Sequence, residues 1–198
     1  MFSATEEITK IWLTPNEWSR PKKPLIARGI ALHWVENPGQ KAWSVRCYFE
    51  DRKLGGHRYG SAHFVIDDAD VIQCIPLDEM AYHVGANKYT PFARKYFGPY
   101  PNAHLIGIEM CHPDWTGEPN PPTMYKTELL CRDLCIRFQI NPIEKIVTHY
   151  DITEKVTPRG PCHKWFVEHP EELDAFRLRV KAHMIEETEH ENFHNFDG

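Results

Sequence analysis

In GIALHW, residues 29–34, the apolar run Ile30-Ala31-Leu32 ends on His33. A short apolar segment closed by a polar residue reads as a strand whose end meets a loop, and functional residues collect at such places. The pattern recurs along the chain. Glu109 closes LIGIE (105–109), His149 closes IEKIVTH (143–149), and Cys162 lies in GPCHKWF (160–166). Two imidazoles, one thiolate and a fourth position left to water would make a catalytic rather than a structural zinc centre. A carboxylate near that set would complete a metal-assisted hydrolase.

Around these segments the chain reads as an α/β protein. A first strand is expected at about 28–34. From Lys41 to Arg52, Ala42, Val45 and Phe49 share one helical stripe, flanked by Trp43 and Tyr48. SAHFVI (61–66), DDAD (67–70) and VIQCIP (71–76) read as two strands of a hairpin with an acidic turn. Residues 81–103, rich in Gly, Pro, Asn and aromatics, read as a long functional loop. A helix is expected over 123–139, with Leu130, Leu134 and Phe138 in register, and IEKIVTH is the next strand. The last helix starts near Pro170 and carries Leu173, Phe176, Val180 and Met184 on one face. Residues 1–27, with Pro15, Pro21 and Pro24, read as an irregular arm. Residues 186–198 read as a frayed polar tail, leaving a single domain over 28–185.

Composition narrows the function classes. A chain of 198 residues that is 41% hydrophobic buries a sizeable core by itself. Its net charge of −5 offers no global field for nucleic acid, so no nucleic-acid partner is expected. No run reaches the roughly 20 apolar residues that a membrane-spanning helix needs. MFSATEEITKIW lacks the basic start and apolar centre of a secretory signal, so synthesis in the cytoplasm is expected. Six cysteines, at 47, 74, 111, 131, 135 and 162, show no CxxC and no framework spacing. They read as buried small hydrophobes in a reducing compartment rather than as disulfides.

The series GIALHW, SAHFVIDDADVIQCIPLDEMAYHVGA, LIGIEMC and THYDIT…CHKWF resembles the zinc-dependent type-2 N-acetylmuramoyl-L-alanine amidases. These include phage endolysins and bacterial autolysins and are related to the peptidoglycan recognition proteins. The resemblance spans roughly residues 28–167 in order. It implies a mixed, twisted β-sheet flanked by helices, with zinc in a surface groove. It carries the three metal ligands to His33, His149 and Cys162, and the catalytic carboxylate to Glu109. His83, in AYHVGA, matches a position lining the substrate groove. Two departures stand out. Thirteen residues take His149 to Cys162 where the family uses about eight, and Gly160 and His163 replace a lysine and a proline. The basic role then passes to Lys155 or Arg159, and His163 becomes a rival third ligand.

The residue chemistry agrees with what the resemblance implies. Taken alone, His33 would read as a hydrogen-bonded core histidine and Glu109 as an edge-strand carboxylate; their partners change the reading. A carboxylate within reach of a zinc-activated water can take its proton and pass it to the departing amine. A thiolate ligand weakens the metal as a Lewis acid, and a cation near the developing oxyanion would offset that loss. Lys155 and Arg159 are the candidates, with solvated loop charge as the plainer reading. Trp34 and Tyr82 are candidate walls for sugar and peptide, with a core role equally open. Asp151 either orients a ligand imidazole or caps the turn after its strand. The expected activity is cleavage between N-acetylmuramic acid and L-alanine in peptidoglycan, after release to the cell wall with help from a holin-type partner. A bacterial autolysin, a recycling amidase and a non-catalytic muropeptide-binding module are the alternatives. A zinc protease of another fold would need an HExxH helix, which the sequence lacks.

Overall fold

The computed structural model describes residues 8–56 and 58–194, with side chains through Glu187. At its centre lies a mixed six-stranded sheet. In chain order the strands are β1 (Ile8–Lys10), β2 (Gly29–Trp34), β3 (Phe64–Ile66), β4 (Val71–Gln73), β5 (Leu105–Met110) and β6 (Ile146–Thr148). Across the sheet they run β1-β4-β3-β5-β2-β6. Strands β3, β5, β2 and β6 are mutually parallel, whereas β4 runs back along β3 with β1 parallel to it.

Side chains alternate between the two faces of a strand. On β2 and β5 this sends Ile30, Leu32, Ile106 and Ile108 to one face, where they join Leu130, Leu134, Phe176 and Val180 in the main core. Those partners belong to α3 (Pro121–Phe138) and α7 (Pro170–His194). Each side chain so buried stabilises the fold by about 1.5–3 kcal/mol. The opposite face of the same strands carries Gly29, Ala31 and His33, and Leu105, Gly107 and Glu109. There α2 (Pro91–Phe97) sets Ala93 and Phe97 against Ala31 and Leu105. Next to it, α1 (Ala42–Asp51) buries Ala42, Val45 and Phe49 against Val65 and Ile72.

The structure departs from the sequence expectations in four places. The arm over 1–27 contributes a sheet strand, since Ile8–Lys10 pairs with Val71–Gln73, and Leu13 is buried beside it. The stretch 81–103 holds α2, started by Thr90, whose side chain accepts the Ala93 N–H, with Pro91 in the first turn. IEKIVTH is only partly strand, because Asn141 caps α4 (Pro142–Lys145) and β6 keeps just three residues. The tail over 186–198 continues α7 as far as His194, and 195–198 lie outside the described residues. All six cysteines are free; Cys74, Cys111, Cys131 and Cys135 are buried, while Cys47 and Cys162 are half-buried.

His63 ties the hairpin to β5. Its Nδ1 accepts the Gly107 N–H at 3.0 Å, and its Nε2 donates to the Glu79 carbonyl at 2.9 Å. Burial holds its pKa down at about 4. Above pH ~6.5 the imidazole is neutral folded and unfolded, so it adds no pH dependence there. As the pH falls from that value towards 4, the unfolded chain takes up a proton that the folded chain refuses, and stability drops by up to about 2–3 kcal/mol. Denaturant melts of the metal-free protein at pH 7 and pH 4.5 should show this loss. The other buried histidines, His33 and His149 among them, are depressed in the same direction and add to the loss, so His63→Gln should lessen the difference between the two pH values without abolishing it; an unchanged difference would assign the acid sensitivity to the other groups.

Candidate metal centre

Strand register assembles the site before any loop is considered. Leu32 is aligned with Thr148, so His149, the next residue, arrives beside His33; on the other side His33 is aligned with Glu109. All three stand at the carboxyl ends of neighbouring parallel strands, where open α/β sheets place their sites. Thr148 ends β6 and starts α5 (His149–Thr153). Its side chain accepts the Asp151 N–H, and the Asp151 carboxylate accepts the Thr148 N–H. Asp151 is therefore the cap of this turn.

Cys162 reaches the same point from the opposite direction. The chain leaves α5, forms a hairpin of β7 (Val156–Thr157) and β8 (Gly160–Pro161), and returns. The Tyr150 N–H donates to the Cys162 carbonyl and ties the returning segment to the helix that begins at His149. Gly160 sits at φ +122, a conformation that a lysine side chain would strain.

The ligand atoms of His33, His149 and Cys162 lie within 4.8 Å of one another, and among the described residues they form the one such group of metal-ligating side chains. Cys162 Sγ is 3.5 Å from His33 Nδ1. Tetrahedral zinc, with Zn–N near 2.05 Å and Zn–S near 2.3 Å, sets that edge at about 3.5 Å. His149 Nε2 is buried with no hydrogen-bond partner, as expected of a donor waiting for a cation. Burial holds His33 well below its ordinary pKa and His149 at about 4, so both offer lone pairs at neutral pH. Burial, with Glu109 nearby, pushes the Cys162 thiol well up, so a metal that binds there must displace its proton. The donor set fits a catalytic zinc.

A cavity of about 250 Å³ opens over this cluster, lined also by Trp34, Tyr82, His83, Glu109 and Lys155. A second hollow of about 430 Å³ adjoins it and shares Tyr59, Tyr82, His83, His149 and Lys155. Two roomier clefts, of about 570 and 690 Å³, include none of the three ligands in their linings; the first is lined mainly from α2, α4 and α5, the second from the end of α3 and from α7. Half-buried Glu109 faces the cavity, its carboxyl pushed up to about 8 by burial and by the charge of Glu36.

The remaining candidates divide. Lys155 lines both hollows. Arg159 is drawn elsewhere: its guanidinium donates to Asn37 Oδ1 at 2.7 Å and to the Glu36 carbonyl at 3.3 Å, and it lies over the Trp115 ring. His163 is fully buried with its ring against Phe166, and it is outside the ligand cluster. Trp34 borders the cavity but is only 2% exposed and stacks on His112. Tyr82, half-buried, packs against Tyr59 at the junction of the two hollows. His83 is buried, with Nδ1 3.0 Å from His33 Nε2 and Nε2 3.0 Å from the Leu105 carbonyl. Sequence reasoning missed Arg52, which lines the cavity with its guanidinium over the Tyr48 ring. Its place at the end of a helical stripe gave no sign of this.

The chain is similar to known proteins along most of its length. The sequence profile of Amidase_2, described as N-acetylmuramoyl-L-alanine amidase, matches residues 21–160. That span contains His33, His83, Glu109 and His149 and stops two residues short of Cys162. N-acetylmuramoyl-L-alanine amidase BlyA of Bacillus subtilis (strain 168) is 35% identical over 186 residues, 89% of this chain and 47% of that protein. N-acetylmuramoyl-L-alanine amidase CwlL of Bacillus licheniformis is 30% identical over 186 residues, 92% of this chain and 49% of that protein. The chain thus spans about half the length of these curated relatives. In fold it is similar to the PlyG catalytic domain, with TM-score 0.69 and 22% identity over 90% of this chain and 96% of that one. It is also similar to a mutant endolysin from Bacillus subtilis, with TM-score 0.65 and 21% identity over 86% of this chain and 97% of that one. With most of its residues inside the matched profile and relatives sharing about a third of its sequence, the chain belongs to Amidase_2, the N-acetylmuramoyl-L-alanine amidase family.

Proposed function

We propose that this chain hydrolyses the amide joining the lactyl group of N-acetylmuramic acid to L-alanine in peptidoglycan. In this reading His33, His149 and Cys162 hold zinc, and Glu109 transfers the proton. The observation that carries it is the convergence of two imidazoles and a thiol beside a carboxylate, all facing one cavity. When bound, zinc makes a water acidic enough to yield a nucleophile near neutral pH and polarises the scissile carbonyl. Glu109 accepts the proton of the attacking water and returns it to the leaving amine nitrogen, so the stem peptide departs with a free amino terminus. Lys155 supplies a positive charge beside the carbonyl oxygen as it becomes an oxyanion. Tyr59 and Tyr82, where the two hollows join, offer faces to the sugar and peptide on either side of the bond.

The domain that performs this chemistry is residues 28–185 together with the edge strand β1. A lytic role of the endolysin type fits best, with synthesis in the cytoplasm and release to the wall through a membrane opened by a holin-type partner. Among the described residues no helix is long and apolar enough to cross a membrane. A muropeptide-binding module without catalysis would have no use for Glu109 beside an intact ligand set.

Digestion of purified peptidoglycan followed by mass analysis should yield free stem peptides beginning with L-alanine and glycan chains with intact lactyl groups. The protein should hold about one zinc per chain. Chelation should stop lysis while leaving most of the circular dichroism unchanged, because a core of this size forms without metal. Full activity in metal-free protein, or products cut elsewhere, would overturn the assignment.

A further inference from the structure

We propose that His83 is a positioning residue for the metal centre: it fixes the tautomer of His33, so that Nε2 carries the hydrogen and the Nδ1 lone pair faces Cys162 and the cation. The inference rests on His33 being a metal ligand and adds a role for a residue that the sequence placed in the substrate groove.

The logic starts at a backbone carbonyl. The Leu105 oxygen can only accept, so the bond of 3.0 Å to His83 requires a hydrogen on His83 Nε2. In a neutral imidazole the other nitrogen, Nδ1, then carries the lone pair. His33 Nε2 sits 3.0 Å from that lone pair and must donate to it. This leaves the lone pair of His33 on Nδ1, the atom 3.5 Å from Cys162 Sγ. One carbonyl on β5 thus sets the direction of two consecutive hydrogen bonds and aims a metal-binding lone pair. Reversing the chain would place a hydrogen on His33 Nδ1, where the cation must bind.

The protein has built a seat for this ring. Gly107 lies beneath it, and a Cβ there would come within 2.6 Å of His83 Cγ. The glycine of LIGIE is therefore required by the imidazole that lies flat on β5. Asn102 holds the backbone of the ring-bearing segment, its Oδ1 accepting the N–H groups of His83 and Val84 at 3.1 and 3.0 Å. His63 closes the far side, its ring centroid 5.9 Å from that of His83. With 8% of its surface exposed and both nitrogens committed, His83 has little left to offer a substrate.

The test uses two variants and one spectrum. His83→Phe keeps a planar ring over Gly107 but removes the acceptor, whereas His83→Asn returns an acceptor oxygen near the place of Nδ1. Zinc affinity, measured by chelator competition, should fall by roughly 10- to 100-fold in His83→Phe, the usual cost of losing a partner behind a ligand. It should recover most of that loss in His83→Asn. Nitrogen-15 imidazole spectra of metal-free wild type should show hydrogens on Nε2 of both His33 and His83. Unchanged affinity in His83→Phe, equal losses in both variants, or a hydrogen on His33 Nδ1 would overturn the proposal. If wild type bound no zinc, the functional reading would fall, and the nitrogen spectrum would still decide the tautomer.

Discussion

Glu109→Gln should lower turnover by about 100- to 10,000-fold while zinc content and wall binding stay near wild type. The expectation follows from where the carboxyl stands. β5 aligns Glu109 with His33, and its side chain lines the cavity over the cluster without being one of the three ligands. Gln has nearly the same shape and keeps a carbonyl oxygen, but it can neither take a proton nor return one. Burial and the Glu36 charge push its carboxyl up to about 8 in the metal-free chain, and a dication bound beside it would favour the carboxylate form that accepts a proton. Steady-state rates on soluble muropeptides, with zinc measured in parallel, separate the outcomes. Turnover close to wild type would make Glu109 a wall of the cavity and send the search for the base to the other lining groups.

Cys162→Ser should weaken zinc binding by more than about 100-fold, beyond what is typical for residues standing behind a ligand. A serine hydroxyl at this position is a poor donor beside a thiolate, which also neutralises charge on the dication. His163, its neighbour, should behave differently. Its ring is packed on Phe166 inside α6 (Lys164–Glu168) and the loop before it, so His163→Ala should keep the metal and disturb activity only modestly. Cobalt substitution gives a direct reading, because a cobalt–thiolate bond produces an intense near-ultraviolet charge-transfer band. The band should be present in wild type and in His163→Ala and absent in Cys162→Ser. Its absence from wild type, or its survival in Cys162→Ser, would move the third ligand elsewhere.

Much of this was legible because the informative residues end regular elements. His33 and Glu109 each stand one residue before the end of an apolar strand, and the stripes of α1, α3 and α7 repeat at helical spacing over enough residues to be read alone. What stayed hidden was short or depended on distant partners. β1 has three residues with little alternation, and its strand character comes from pairing with β4 more than sixty residues away. α2 did announce itself, since Thr90 and Pro91 make a capped first turn, but the surrounding Gly, Pro and Asn masked seven helical residues. IEKIVTH looked uniform because its hydrophobicity does not reveal that Asn141 and Pro142 open a helical turn before the strand. The role of His83 could not be read locally at all. Its partners, the Leu105 carbonyl and His33, stand 22 and 50 residues away in sequence.

The hairpin between the second and third ligands has one further consequence. Both of its ends are anchored, at His149 by the capped start of α5 and at Cys162 by the bond to the Tyr150 N–H. Lys155 and Thr157 line the cavity on the outgoing arm, whereas Pro158 and Arg159 are exposed at the turn itself, which only has to close the loop. Closing a loop of twice the length costs only about 0.6 kcal/mol more. Chain length at this turn is therefore nearly decoupled from ligand geometry. A foreign peptide or a small affinity module spliced between Pro158 and Arg159 should ride beside the cavity mouth without moving the sulfur, making this turn a port for retargeting the domain.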